Sequence, residues 1–282
     1  MARSWLDRGF KLGLFLTIFS VSACGVLQKE EEIPLDQQPA QEIFEQAEFE
    51  LENNNSADAA IELFEEVERL YPYSEYAKRA VIMQAFGHHQ NRDYELSRAA
   101  AQRYIDFYPA SEDAAYAQYL IALSYYDQID DVGRDQGVTL SALRAFRTVI
   151  ERYPGSEYAR SSELKFDLAF DHLAGKEMEV GRYYLSRGHD AAAINRFRLV
   201  IEEFQTTSHT PEALHRLVEA YLSLGFVEEA QTAGAILGHN FRSSPFYEES
   251  YALLTGQGLE MRSRGNSWLA QIWRQAVRGE WL

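Results

Sequence analysis

One short pattern recurs along the chain and dictates its architecture. Leu70-Tyr71-Pro72-Tyr73-Ser74-Glu75 returns as Phe107-Tyr108-Pro109-Ala110-Ser111-Glu112 and again as Arg152-Tyr153-Pro154-Gly155-Ser156-Glu157. Weaker copies are Phe204-Gln205 leading to Thr210-Pro211-Glu212, and Phe241-Arg242 leading to Ser244-Pro245. Each copy carries the same instruction: an aromatic closes one helix, a proline or turn residue stops it, and Ser or Thr caps the next. Glu75, Glu112, Glu157 and Glu212 then complement the positive end of the new helix. A second pattern precedes each turn. Eleven positions before the closing aromatics stand Ala60, Ser97, Ala142, Ala193 and Ala230. Four residues later come Phe64, Ala101, Phe146, Phe197 and Gly234, and three further on Val67, Tyr104, Val149, Val200 and Leu237. Offsets of four and three share one helix face, so the small residue admits a neighbouring helix and the large ones fill the gap beside it. These columns are the expected core.

The closing aromatics lie 37, 45, 51 and 37 residues apart, near the about 34 residues of a tetratricopeptide unit with insertions in the third and fourth copies. The small-large-large column resembles the second helix of such a unit, although the consensus tryptophan and glycine of the first helix are missing. No stretch alternates with a period of two, so no sheet is expected. The predicted fold is all-α: an α-solenoid of about five degenerate tetratricopeptide-type helix pairs with a capping helix and a C-terminal amphipathic tail. The pairs fall at 40–51 with 56–71, 75–89 with 93–108, 112–129 with 138–153, 157–187 with 189–204, and 211–224 with 226–239. The helix over 157–187 is long or broken, with an interruption near Gly175, and 245–263 forms the cap. Asp130 to Gly137 makes a long polar turn inside the third pair.

Cys24 is the only cysteine. It ends Val21-Ser22-Ala23-Cys24, behind the apolar run Leu12 to Val21 and the basic residues Arg3, Arg8 and Lys11. That is the layout of a secretory signal peptide, and the run is too short to span a bilayer. The last four residues resemble the bacterial lipobox, with valine where leucine is preferred. The resemblance implies acylation of Cys24, a stable membrane anchor once two or three chains are attached, and Gly25 in place of Asp implies the outer membrane. The alternative is an ordinary signal peptide with an incidental thiol. The resulting division is 1–23 signal peptide, 24–39 acylated N-terminus and flexible tether with Pro34 and Pro39, 40–255 solenoid, and 256–282 a basic-aromatic extension.

Loss of residues 1–23 removes three basic and one acidic side chain and moves the net charge from −16 to −18. So acidic a surface repels phosphate backbones, which argues against nucleic acid as a partner. No metal signature appears: His88 and His89 are adjacent and the other five histidines scattered. No nucleophile elbow or phosphate-binding glycine loop occurs either. Helix pairs use up the chain, so the expectation is a binding protein that is not an enzyme and needs no cofactor beyond the covalent lipid on Cys24.

Together, the lipobox, the acidic tether and Tyr-Pro-terminated helix pairs resemble the BamD family, the lipoprotein subunit of the β-barrel assembly machinery. The most specific stretch is Val180-Gly181-Arg182-Tyr183-Tyr184-Leu185-Ser186-Arg187-Gly188, continuing to Ala192-Ala193-Ile194-Asn195-Arg196-Phe197. It is similar to that family's Tyr-Tyr-x-x-Arg-Gly signature followed by an Asn-Arg pair. The resemblance implies a scaffold on the periplasmic face of the outer membrane, docked on the periplasmic domains of the barrel-forming subunit BamA and helping to engage and insert unfolded outer-membrane proteins. It places Asn195 and Arg196 at or near the BamA contact, with Arg187 and Tyr184 nearby. An intramolecular carboxylate partner is the other reading of Arg196. Tyr183 and Tyr184 are expected in the core rather than at the interface. For the substrate groove the candidates are Tyr73, Tyr76, Phe86, Tyr94 and Tyr116, aromatics off the repeat columns. A second functional reading is an adaptor lipoprotein of another envelope pathway, such as cell-wall coordination or secretion.

The last residues depart from the family pattern. Trp268, Ile272, Trp273, Ala276, Val277 and Trp281 recur at helical spacing among Arg262, Arg264, Arg274 and Arg278. Such a segment lies on a membrane or a partner groove, or else folds back to cap the solenoid.

Overall fold

The computed structural model describes residues 33–53, 56–262, 268–271 and 274. Cys24, the signal stretch and most of the tether lie outside the described residues, as do Trp273 and Trp281 in the tail. Among the described residues up to Gly256, eleven α-helices follow a 3-10 turn at Leu35–Gln37. They are α1 (Ala40–Glu52), α2 (Ala57–Leu70), α3 (Glu75–Gln90), α4 (Tyr94–Phe107), α5 (Ala114–Tyr126), α6 (Gly137–Arg152), α7 (Glu157–Ser186), α8 (Asp190–Glu203), α9 (Thr210–Ser223), α10 (Val227–Asn240) and α11 (Pro245–Gly256). No strand occurs among the described residues.

Every helix packs on the next, so the chain is a run of antiparallel pairs. The odd-numbered helices also touch one another in series, α1 on α3, α3 on α5, and so on to α9 on α11. The first helices of the pairs thus form the crowded, inner row of the solenoid.

The repeat columns are the core. Ala60, Ser97, Ala142, Ala193 and Ala230 are fully buried, as are Phe64, Phe146 and Phe197 and the third column from Val67 to Leu237. The one serine in the small column satisfies its hydroxyl by donating to the Ala85 carbonyl at 2.8 Å, as a buried polar group must.

The five turns share one geometry. Tyr71, Tyr108, Tyr153, Phe204 and Phe241 all close their helices at φ between −125° and −131°. Each also accepts a hydrogen bond at its carbonyl from the residue three ahead, at 2.9–3.0 Å. The capping chemistry is less uniform than the repeated Ser suggests. Ser74 and Ser156 accept from the Ala77 and Ala159 amides at 3.0 and 3.1 Å, as N-caps do. Ser111 instead pairs with the Tyr104 hydroxyl at 2.8 Å, and α5 starts later, behind Asp113. Burial pushes that Tyr104 hydroxyl up to about 12. In the fourth copy the turn equivalent is Thr207, whose amide bonds Phe204, while the Thr210 hydroxyl donates back to the Gln205 carbonyl at 3.0 Å. Ser244 sits at the α11 N-cap without a side-chain cap bond.

The helix over the fourth pair is a single unbroken run of 30 residues; the interruption expected near Gly175 does not occur. A mid-helix glycine costs only about 1 kcal/mol. Here it makes room for neighbours: a Cβ would meet His209 Nε2 at 3.2 Å. The polar turn of the third pair docks beside it, with Lys176 Nζ donating to the Gly133 carbonyl at 2.8 Å. The capping helix is shorter than expected, ending at Gly256.

Three apolar clusters result. The first surrounds Phe44 and Phe64. The second surrounds Tyr104 and Phe146 and takes in Tyr158 and Phe166 from the first half of α7. The third contains Phe197, Leu217 and Leu237 and takes in Met178 and Tyr184 from the second half. Met178 and Phe166 lie on one helix, so α7 belongs to two cores. Leu269 and Ala270 of the tail are buried, and Leu269 and Trp268 pack on the third cluster. The described part of the extension therefore folds back on the last repeats.

Candidate docking face on α7 and α8

The signature Val180 to Phe197 spans the end of α7, the turn and the start of α8. Gly181 is there for contact: a Cβ would overlap the ring of Phe197, which is fully buried. At the end of α7 the chain reverses through Gly188 at φ 72°, and the His189 amide bonds the Tyr184 carbonyl at 3.0 Å. A left-handed residue in that place closes the helix with little strain when it is glycine. The same place in the second pair is held by Arg92 at φ 65°.

This turn brings three of the four predicted residues together. Tyr184, Asn195 and Arg196 line a groove of about 480 Å³ with Ala192, Arg198, Leu199 and Glu202. Asn195 is exposed on α8. Arg187 is not part of the groove; it lies at the α7 C-cap with its guanidinium 4.2 Å from the Tyr183 ring centroid. Tyr183, expected in the core, is 51% exposed and supports that arginine, whereas Tyr184 is half-buried against the third cluster.

Arg196 has an intramolecular partner: its Nη1 lies 2.9 Å from Glu177 Oε2 across the α7–α8 contact. A partly exposed pair of this kind is worth about 0–1 kcal/mol. Its main effect is to hold the guanidinium at the groove wall. Arg198, missed in the sequence, pairs with Glu202 at 3.0 Å and lies 3.9 Å from the Trp268 ring. Stepping three and seven residues from Asn195 along the helix period reaches Arg198 and Glu202, so the signal was available.

The N-terminal candidates do not converge on one groove. Tyr73 projects fully into solvent from the α2–α3 turn, and Tyr94 stands edge-on to His89 at 5.5 Å beyond the other end of α3. A helix of 16 residues separates them, about 24 Å at 1.5 Å per residue. Tyr76 packs on Phe44 at 5.6 Å, and Phe86 is half-buried between the first two clusters. Tyr116 packs on Tyr158 at 5.2 Å, its hydroxyl pushed up to about 12 by burial. Tyr76 and Tyr116 thus tie successive first helices together.

Among the described residues, no group of His, Cys, Asp and Glu is placed to hold a metal ion, and no helix is long and apolar enough to cross a membrane.

The outer membrane protein assembly factor BamD of Caulobacter vibrioides is 45% identical over 244 residues, 86% of this chain and 80% of that protein. The protein of the same name from Rickettsia prowazekii is 44% identical over 195 residues, 69% of this chain and 78% of its own length. That of Neisseria meningitidis serogroup A is 29% identical, covering 82% of this chain and 91% of its own. The family model YfiO, described as outer membrane lipoprotein, matches residues 36–236, which run from the 3-10 turn into α10 and include the whole α7–α8 face. With more than two thirds of its length matched by that model, the chain belongs to the YfiO family of outer membrane lipoproteins.

Proposed function

We propose that this chain is a non-enzymatic scaffold of the outer-membrane β-barrel assembly machinery, anchored through acylated Cys24 at the periplasmic face of the outer membrane. It acts without a cofactor. Its α7–α8 face docks on BamA, and the scaffold helps to engage unfolded outer-membrane proteins. The observation that carries this reading is the 45% identity with an outer membrane protein assembly factor over 86% of the chain. The groove of Tyr184, Asn195 and Arg196 supports the docking role, because it presents a held guanidinium beside an exposed amide. Such anchored arginines with an aromatic neighbour are the residues that dominate interface energies.

Affinity purification of the detergent-extracted protein tests the proposal. The wild type recovers BamA. Arg196→Ala loses at least about nine-tenths of that recovery, while its thermal stability drops by no more than about 1 kcal/mol. Cys24→Ala loses acyl labelling and membrane retention. Recovery of cell-wall synthases without BamA, from the wild type, would instead assign the scaffold to another envelope pathway.

A further inference from the structure

A second groove opens on the other side of Leu199. Its floor is α7 and its walls are α6 and α8, and it encloses about 470 Å³. The size falls in the range of built ligand sites. Its lining is mainly apolar: Leu140 on α6, Phe166, Phe170 and Leu173 on α7, Leu199 on α8 and Phe204 just past its end. Leu140 is 43% exposed and the other five are half-buried. A continuous apolar floor left open to water marks an interaction surface rather than a core.

The rim has a sign. Arg144, Arg147 and Lys176 stand at the edge of the groove. Arg147 lies over the Phe166 ring, 5.6 Å from its centroid, and Lys176 donates to the Gly133 carbonyl. Among the described residues neither Arg144 nor Arg147 pairs with a carboxylate, in a protein of net charge −16. Of the two carboxylates at the groove, Glu203 and Glu177, the second is held by Arg196. Helix α6 carries Arg144, Arg147 and Arg152 against the single Glu151.

We propose that the α6–α8 groove binds a short acidic-apolar segment of a protein partner. Its bulky side chains lie along Phe166, Phe170 and Leu199, and its carboxylates meet Arg144 and Arg147. A floor recessed between two helices takes an extended or helical chain; the flat surface of a bilayer does not reach it. The charge complementarity gives the segment its sign and its entry rate. This site adjoins the Arg196 face through Leu199 and Glu177 but does not rest on the docking of BamA.

The test is a fluorescence-anisotropy titration of the full-length acylated protein in detergent. The probe is a fluorescein-labelled peptide Glu-Leu-Glu-Phe-Glu-Leu-Gly, compared with the same peptide carrying Lys in place of every Glu. The acidic peptide binds saturably and more weakly as salt rises. The double variant Arg144→Glu, Arg147→Glu binds it at least about tenfold more weakly. Leu140→Asn, a change at an exposed site that leaves folding intact, also weakens binding with all the charges in place. Equal binding of the basic peptide, or wild-type affinity in both variants, overturns the proposal. Displacement of the peptide by phosphatidylglycerol vesicles, lost in the arginine variant, overturns it in favour of an anionic lipid surface.

Discussion

The two halves of the solenoid share one repeat frame but tie their inner rows differently. In the N-terminal half, rings bridge successive first helices: Phe44 to Tyr76 at 5.6 Å, Tyr116 to Tyr158 at 5.2 Å and Tyr119 to Tyr158 at 5.5 Å. In the C-terminal half the same row is joined by polar groups. Arg182 pairs with Glu212 at 2.9 Å between α7 and α9, and His215 of α9 meets Ser250 and Glu249 of α11 at 2.8 and 3.2 Å. Aromatic contacts change little with salt or pH, whereas ion pairs and a buried imidazole respond to both. The N-terminal row has ion pairs of its own, Arg79 with Glu48 and His89 with Asp127, both at 3.1 Å, so what sets the C-terminal half apart is the buried His215 at its α9–α11 contact.

The largest test of that contrast removes a core ring from each half. Phe146→Ala and Phe197→Ala each cost about 3–5 kcal/mol, because both rings are fully buried and leave a cavity. If the clusters are distinct, hydrogen exchange rises around α4–α6 in the first variant and around α8–α10 in the second; uniform loss of protection in both would erase the division.

Acidification comes next and acts through the buried His215 of the C-terminal half. Burial holds the His215 imidazole below its ordinary range, with Arg216 pushing the same way, against the opposing pull of Glu219, Glu249 and Glu212. The unfolded chain therefore takes up a proton near pH 6.5 that the folded chain refuses. This contribution to stability is whole above about pH 6.5 and falls as the pH drops toward the depressed folded value. Melting from pH 7 to 5.5 should show the C-terminal half losing protection first, and His215→Gln should remove that extra loss.

The smallest effect separates copies of the same turn. Ser74→Ala and Ser156→Ala each cost about 1 kcal/mol through a lost N-cap, and Ser244→Ala costs a few tenths at most, since Ser244 makes no cap bond. Equal losses in urea denaturation of all three would mean that the geometry of the turn, not the cap, sets the energy.

What the sequence disclosed, and what it hid, follows from the range of each interaction. The columns from Ala60 to Leu237 and the closing aromatics were legible because helix period and turn chemistry are local. The unbroken course of α7 was hidden, since its Gly175 is explained by His209, 34 residues away. Ser111 looked like a cap because nothing nearby reveals that the Tyr104 hydroxyl claims it. Asn195 and Arg196 were found through a family signature, but the Glu177 partner and the groove shared with Tyr184 exist only once two helices pack. For Tyr73 and Tyr94, residue type could not reveal that the fold sets them at opposite ends of α3.

Helix α7 is about 45 Å long at 1.5 Å per residue, with Tyr158 in the tyrosine cluster near one end and Tyr183 and Arg187 near the other. It is in effect a lever arm whose fulcrum lies where Phe170 meets Phe204, ring centroids 4.8 Å apart. A partner that tilts it by about three degrees at the Arg187 end displaces the far end by roughly 1 Å, since a helix bends far less readily than side chains reorient. The scaffold can then report, at its aromatic half, mechanical work done on its polar half.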